Sequence, residues 1–480
     1  MSRIKTNIIY NLLYQVLILL IPLITAPYLS RVLGVKGIGV YSYVSSIAYY
    51  FFLFITLGLN NYGNRCIAKC EKNKKDLGKM FFSIYTMQLI IGIIMITAYC
   101  VYTVSFASNE FKLFFVLYFP YILSAVLDIN WFYYGLTEFK FTTIRSTVIK
   151  IISLFLIFIF VKTKNDLAMY FLIMGLSYLL SNLLLWTRIR RYVTFYKPTF
   201  HEIFVHLKPN LILFIPILAI SIYRVMDKIM IKELIGILEN GYYENADKII
   251  TMALTVFSAV ATVMMPSVSS MVASGNSTKL KQLLRDSMQV SMALGIGMMF
   301  GLMAVGPVFA PLFFGREYFE TGILIQLLAI TVVISGWKAI LRSQYLIPFE
   351  KDTSYVISLV VGAIVNVMCN FYFIPKYSAR GAVIGTIIAE IVGFLIQTIV
   401  ASKDIEVNTL IKDTLIFVPA GIIMFVLSSL IIYLIPTFKG LLLSIIIGII
   451  SYSGLCVFLF ILFQRGRFTY LLNKYIKRSC

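Results

Sequence analysis

The residues best suited to bind a charged ligand are basic side chains within long apolar segments. Lys338 and Arg342 stand four residues apart in one such segment, so a helix would place both on one face. The sequence has no acidic residue within a turn of either. Because adjacent cations repel, a bridging anion would stabilise them, and a diphosphate suits this spacing. The alternative for Arg342 is that it reaches the aqueous interface, since it lies near the end of its segment.

A second charged group lies in another long apolar segment, residues 210–232. Arg224, Asp227 and Lys228 have the i, i+3 and i+4 spacing that sets Arg224 beside both neighbours on one helical face. Asp227 can neutralise part of that charge, which leaves a net cation. Charges inside membrane helices are costly and usually face protein or a water-lined cavity. The pattern therefore predicts a second cationic contribution to a ligand cavity.

Two acids are isolated within apolar segments, Asp128 in LDINWFYYG and Glu390 in GTIIAE. Either could carry a coupling proton or cation across the membrane. The alternative is a pairing with an internal lysine such as Lys150. The sequence leaves both alternatives open.

The first apolar segment carries two prolines, Pro22 and Pro27, and then Arg31. Proline removes a backbone donor and clashes with the preceding turn, so it bends a helix. The segment therefore predicts a hinge in a moving part. Because Arg31 lies at the opposite membrane face from Arg342 in the topology below, we expect it to be a gate or exit-side contact rather than the primary anion site.

The amino-acid composition indicates which structural elements hold these residues. The chain has 480 residues, of which 60% are hydrophobic and only 13% charged, far from the soluble average of about 45–50% apolar. Apolar runs long enough to span a bilayer recur, so the sequence predicts an all-α polytopic membrane protein. The fourteen predicted spans are 8–30, 40–62, 80–104, 113–135, 146–161, 167–187, 210–232, 244–270, 288–312, 322–347, 355–374, 381–401, 414–435 and 440–463.

The formal charge of +21 fits membrane topology better than nucleic-acid binding. By these boundaries about 26 lysines and arginines lie in the loops on the N-terminal side and about 9 on the other, so both termini are predicted to be cytoplasmic. The loops are short, and no segment matches the phosphate-loop pattern. We therefore expect no ATP site, no cofactor and no metal, with energy from an ion gradient or the membrane potential.

The chain divides into two similar halves. Leu33-Gly34 followed by Gly39-x-Tyr41 recurs as Ile235-Gly236 followed by Gly241-x-Tyr243, an offset of 202 residues. We call these two stretches the glycine repeat. Their positions predict two lobes related by a pseudo-two-fold along the membrane normal. The predicted domains are an N-terminal six-helix lobe (1–187), a cytoplasmic linker (188–209), a C-terminal six-helix lobe (210–401), and two extra helices with a basic tail (402–480).

Several stretches resemble the Wzx-type flippases of bacterial polysaccharide synthesis, which share a superfamily with the MATE exporters and the lipid II flippases. The resemblance runs from about residue 10 to about 400 and is carried by PLITAPYLSRVLGVKGIGVYSY, LDINWFYYGLTEFK, GYYENADKI with VMMPSVSSM, and RSQYLIPFEKDTSY with NFYFIPKYSARGAVIGTIIAE.

The resemblance implies two lobes around a cationic cavity that alternates between inward- and outward-facing states in the bacterial cytoplasmic membrane. The cargo would be an undecaprenyl-diphosphate-linked oligosaccharide, delivered to the outer leaflet for capsule, exopolysaccharide or O-antigen synthesis. Polysaccharide-assembly proteins such as the polymerase would be partners, and we expect a monomer. The candidates for the cavity are Arg31, Arg224, Lys228, Lys338 and Arg342.

Three other functions fit parts of the pattern. A MATE-like antiporter of organic cations would need a less cationic cavity, because lysine and arginine repel such cargo. A membrane polymerase or glycosyltransferase would be an enzyme, and the short loops and missing acidic metal-binding cluster disfavour it. A scaffold would leave the buried charges as an unexplained cost. We therefore predict a transporter and not an enzyme.

Overall fold

The structure is a computed structural model that describes residues 2–71, 73–273 and 277–463. In these ranges the regular structure is entirely helical, without a strand. Large apolar side chains are widely exposed, including Tyr433 at 83% and Ile450 at 67%. In water such faces would be unstable, whereas lipid matches them. The prediction of an all-α polytopic membrane protein is confirmed.

The chain separates into two compact units, Met1–Gly241 and Tyr242–Cys480. The first unit holds ten helices in its described part. They are α1 (Ser2–Thr56), α2 (Leu59–Lys69), α3 (Lys74–Val101), α4 (Asn109–Val126), α5 (Asn130–Gly135), α6 (Phe139–Phe160), α7 (Leu167–Trp186), α8 (Phe200–Phe204), α9 (Leu207–Ser221) and α10 (Asp227–Leu234).

Helix α11 begins in the first unit and continues into the second. The described helices from there on are α11 (Ile237–Ala273), α12 (Ser277–Phe314), α13 (Phe319–Leu328), α14 (Ile330–Leu341), α15 (Asp352–Tyr377), α16 (Ala379–Ala401), α17 (Val407–Leu415), α18 (Val418–Leu434) and α19 (Phe438–Phe463). The two units are defined by the density of contacts within each of them. The six-helix lobes and the linker at 188–209 stay a prediction.

In the described part of the chain, three π-helical turns interrupt this pattern, at Tyr102–Phe106, Ile222–Met226 and Arg342–Leu346. Short 3₁₀ turns occur at Lys164–Asp166, Ile189–Arg191 and Arg316–Tyr318. A π turn inserts one residue into the hydrogen-bond ladder and is frequent at functional sites. Apolar periodicity does not predict such turns, because the extra residue hardly alters composition.

Eleven described helices are long and apolar enough to cross a membrane, or twelve with the pair Arg316–Leu328 and Ile330–Leu346, which is bent by 44°. The first predicted span from residue 20 onward and the whole of the second fall in the continuous segment Leu20–Lys69. Helix α1 would be about 80 Å long if straight, against about 30 Å of hydrocarbon, but Gly34 breaks it. The eighth predicted span lies on α11, which is not among the described candidates. The count of fourteen stays a prediction.

In the first unit, α4 ends in a break that a buried glutamine stabilises. The Gln88 side-chain amide donates to the carbonyl oxygens of Ala125 at 2.9 Å and Asp128 at 3.0 Å. Its oxygen accepts from the Trp131 indole at 3.2 Å. Carbonyls at a helix end need such partners when water is absent. Residues 127–129 are thereby held as an ordered turn between α4 and α5.

Candidate functional site

The two copies of the glycine repeat carry the same backbone feature. Gly34 has φ 69° and Gly236 has φ 149°, a region that side chains rarely adopt. Each glycine therefore permits a sharp change of direction, in α1 and between α10 and α11. The equivalent positions in the repeat have equivalent conformational roles.

The copies also contact each other within the first unit. A Cβ added to Gly39 would lie 2.1 Å from the Ile237 carbonyl oxygen. A Cβ added to Gly241 would lie 2.2 Å from the Val35 carbonyl oxygen. The offset of 202 residues relates Val35 to Ile237 and Gly39 to Gly241. The contact is therefore reciprocal between the two copies of the glycine repeat.

A polar cluster that the sequence did not reveal lies in the same unit. The Tyr43 hydroxyl donates to Glu233, whose Oε1 also lies 3.0 Å from Lys232 Nζ. The ammonium group stands 4.3 Å from the Tyr43 ring centroid and 5.0 Å from that of Phe111. Such cation–π contacts hold a charge in an apolar setting. Lys232 follows Lys228 by four residues, and this spacing is the sequence feature from which the polar cluster could have been predicted.

The predicted hinge lies in a helix whose break is elsewhere. The non-helical backbone within α1 is at Gly34, and the chain stays helical through Pro22 and Pro27. The Thr25 hydroxyl donates to the Ile21 carbonyl at 3.0 Å, which supports the turn between the prolines. Gly34 is the sharper break because its φ lies in the left-handed region. Arg31 is exposed, about one turn before it.

Arg224 occupies the middle of the π turn Ile222–Met226 and is exposed. The Tyr50 hydroxyl donates to the Ser221 carbonyl at 3.4 Å, immediately before this turn. Asp227 starts α10 and is fully buried, and Lys228 is half-buried. The prediction that all three share one face assumed a regular α-helix. The π turn adds a residue to the backbone hydrogen-bond ladder and changes the direction of the Arg224 side chain relative to those of Asp227 and Lys228.

Asp128 is anchored by an amide rather than by a lysine. Its Oδ1 accepts from the Asn130 backbone N–H at 2.9 Å and from Asn130 Nδ2 at 2.6 Å. Arg145 Nη2 donates to Asn130 Oδ1 at 3.0 Å. Lys150, the partner considered from the sequence, is not its partner. The carboxylate stabilises the break between α4 and α5, because the chain turns there and exposes backbone donors.

Lys338 and Glu390 form an ion pair. Lys338 Nζ lies 2.8 Å from Glu390 Oε2, and both side chains are largely buried, at 13% and 14% exposure. The Ser335 hydroxyl donates to the same oxygen. The sequence has no acidic residue within a turn of Lys338, and the packing of α16 against α14 brings Glu390 to it. The alternative that Glu390 pairs with an internal lysine is correct, although the lysine is not Lys150.

Arg342 is the first residue of its π turn and has a tyrosine partner. Its Nη1 donates to the Tyr355 hydroxyl at 3.3 Å, and the guanidinium lies 5.8 Å from that ring centroid. Its Nε is buried without a hydrogen-bond partner. A tyrosine leaves the positive charge uncompensated. Of the two cations Lys338 and Arg342, Arg342 is thus the one whose positive charge can still bind an anion.

Arg224 lies in a π turn of a membrane helix in the first unit, and Arg342 lies in a π turn of a membrane helix in the second. Such side chains can bind phosphate oxygens through several N–H donors. Across the described ranges, no group of three or more His, Cys, Asp or Glu side chains could hold a metal ion.

The fold is similar to that of known exporters. A lipid II flippase MurJ, in an inward closed conformation, aligns with a TM-score of 0.69 at 17% identity, over 92% of this chain and 99% of that chain. An outward-facing multidrug resistance MATE family transporter of the MOP superfamily gives 0.58 at 17% identity, over 84% of this chain and 95% of that chain. The protein therefore has the multi-pass helical fold that the MurJ flippase and the MATE transporters share.

The sequence comparison is more specific. The family described as polysaccharide biosynthesis protein matches residues 4–272. A Shigella dysenteriae protein named as an O-antigen transporter is 24% identical over 393 residues, which cover 81% of this chain and 97% of that protein. The chain belongs to the polysaccharide biosynthesis protein family, and its identification as a Wzx-type member of the superfamily is confirmed.

Proposed function

We propose that this protein flips undecaprenyl-diphosphate-linked oligosaccharide repeat units from the inner to the outer leaflet of the bacterial cytoplasmic membrane. The observation that carries the proposal is the placement of Arg224 and Arg342 in π turns of membrane helices. Family membership and the O-antigen transporter name of the Shigella relative support a lipid-linked glycan as the cargo.

Each arginine would be a contact for the diphosphate, the part of the cargo that all repeat units share. Guanidinium groups match the geometry of phosphate oxygens, and a partly desolvated site strengthens each contact. Lys228 and Arg31 would add positive charge along the route, and Lys338 would act through its pair with Glu390. The cytoplasmic orientation of both termini belongs to this proposal, as do a monomeric state and contact with the polymerase.

The transport cycle would be alternating access driven by an ion gradient or the membrane potential. Moving one charge through 100 mV changes its free energy by about 2.3 kcal/mol, and a diphosphate carries more than one. The buried acids Asp128, Asp227 and Glu390 are candidates for coupling.

The test is a strain that lacks the gene and is complemented with charge variants. Arg224→Gln with Arg342→Gln should abolish surface polysaccharide at normal protein level, and lipid-linked repeat units should accumulate on the cytoplasmic leaflet. The matched control is Lys75→Gln with Lys403→Gln, which removes one exposed cation from each unit. Lipid extraction with mass spectrometry, together with leaflet-specific labelling, measures the intermediate.

Normal export in the arginine variant would refute the cationic site. Complementation that instead restores resistance to organic cations, with no effect on the glycan, would support the MATE-like alternative.

A further inference from the structure

A groove unrelated to the candidate arginines opens between α6 and α7. Its volume is about 480 Å³, and its lining combines apolar and charged side chains. The apolar walls are Phe141, Ile144, Val148 and Leu184, and three of these are exposed large apolar residues. The charged end holds Glu138, Lys140, Arg145 and Arg188.

Specific contacts hold the two arginines at the charged end of the groove in place. The Arg188 guanidinium lies 4.3 Å from the Phe141 ring centroid, which holds it at the groove mouth. Arg145 is buried and donates to Asn182 Oδ1 at 3.3 Å, to the Ser181 carbonyl and to Ser146 Oγ at 3.0 Å. These bonds join α6 to α7 and fix the floor of the groove. Both arginines are therefore pre-positioned.

Apolar walls that run along two membrane helices toward a basic end match the chemistry of an anionic lipid. The walls suit an acyl chain, and the cations suit its phosphate. Basic pockets between membrane helices on the cytoplasmic side are recognised lipid-headgroup sites. In the proposed orientation this end of α6 and α7 lies at the cytoplasmic face.

We propose that the groove binds an anionic membrane phospholipid through a singly charged phosphodiester of the phosphatidylglycerol type. The lining has three cations and one carboxylate, and Arg145 already donates to protein acceptors. This modest positive charge suits one phosphodiester better than a diphosphate, which Glu138 would repel. The site is distinct from the proposed cargo site and does not depend on the cargo.

Bound lipid would act on the turn at Asp128. Arg145 donates to Asn130, and Asn130 donates to Asp128, so the groove floor is connected to the break between α4 and α5. A headgroup in the groove would rigidify this connection. We therefore expect phosphatidylglycerol to raise the melting temperature of the purified protein.

The test titrates the purified full-length protein in detergent with phosphatidylglycerol and follows bound lipid by native mass spectrometry. Lys140→Gln with Arg188→Gln should weaken binding about thirtyfold, from about 1 kcal/mol per cation near an anionic headgroup. Val148→Trp fills the apolar wall, keeps every charge and should also weaken binding. Arg145 is left unchanged because it joins two helices. Equal melting temperatures without lipid would show that the variants fold.

The matched control is Arg190→Gln with Lys197→Gln, two exposed cations of the following segment that do not line the groove. It should bind phosphatidylglycerol within twofold of the original protein. An equal loss in the control would overturn the proposal in favour of diffuse attraction. Equal binding of zwitterionic phosphatidylcholine would also overturn it, as would displacement of phosphatidylglycerol by equimolar undecaprenyl phosphate, which would reassign the groove to the carrier.

Discussion

Breaking the Lys338–Glu390 pair should destabilise the protein strongly, whereas replacing both partners should not. At 2.8 Å, an effective dielectric constant of about 20 gives an attraction of about 6 kcal/mol, which desolvation of both groups largely offsets. Lys338→Met leaves the carboxylate buried without its cation, and Glu390→Leu leaves the ammonium without its anion. Each single change should lower the free energy of unfolding by about 3–5 kcal/mol.

The double variant Lys338→Met with Glu390→Leu should recover most of this loss, because neither charge is left uncompensated. Equilibrium unfolding in mixed micelles across all four proteins gives the coupling energy, which we expect to be at least about 2 kcal/mol. A coupling below about 0.5 kcal/mol, within the range of independent sites, would refute the reasoning.

The same double variant distinguishes a structural role of the Lys338–Glu390 pair from a role in transport. If Lys338 serves only to balance Glu390, surface polysaccharide should persist in the double variant at normal protein level. Loss of export in a stable double variant would instead assign Lys338 or Glu390 to cargo binding or coupling. A change that removes only one charge cannot make this distinction, because instability and lost function would occur together.

Three further predictions concern backbone contacts and a surface pair. Gly39→Ala should weaken the contact between the glycine-repeat copies by about 1–3 kcal/mol and reduce export, because its Cβ would meet a carbonyl oxygen at 2.1 Å. Pro22→Ala with Pro27→Ala should impair export while membrane insertion, measured by protein level, stays normal. The hydrogen bond from Lys351 holds the pKa of Asp404 below its usual range, so Asp404→Asn should lower the melting temperature at neutral pH. That difference should shrink as the pH falls below about 4, the ordinary range for an aspartate, and disappear only below the lowered pKa of Asp404, where the carboxyl group is protonated in the folded protein as well.

Controls exist for each of these changes. Gly454→Ala meets nothing within 4 Å and should be silent, so a comparable loss there would show a general sensitivity of glycines rather than a specific contact. Export at the normal level in the double proline variant would retire the hinge. A melting difference for Asp404→Asn that does not shrink between pH 7 and pH 3 would show that the interaction does not depend on the charge of Asp404.

Much of the fold could be predicted because lipid imposes a simple rule on sequence. Every backbone polar group needs an internal partner in the bilayer, so apolar runs of sufficient length become helices. The glycine repeat was visible because glycine has few substitutes at a positive φ, as at Gly34 and Gly236. The prolines predict a bend in α1 because proline disrupts the helical hydrogen-bond ladder, but the helix continues through Pro22 and Pro27, and its non-helical residue is Gly34.

The candidate site was predicted only in its residue types. Arg224 and Arg342 were recognised as costly charges in apolar segments, but the π turns that carry them leave no trace in hydropathy. The Lys338–Glu390 pair joins residues 52 apart in sequence, and the spacing within a single helix cannot show it.

The sequence by itself determined the membrane environment, the helical class and which residues are chemically unusual, because transfer into lipid is a property of each segment alone. Only the tertiary structure decided which charges keep their capacity for a ligand. Lys338 loses it to Glu390 and Arg342 keeps it beside Tyr355. Charge compensation depends on a few ångströms between helices, and only packing fixes those distances.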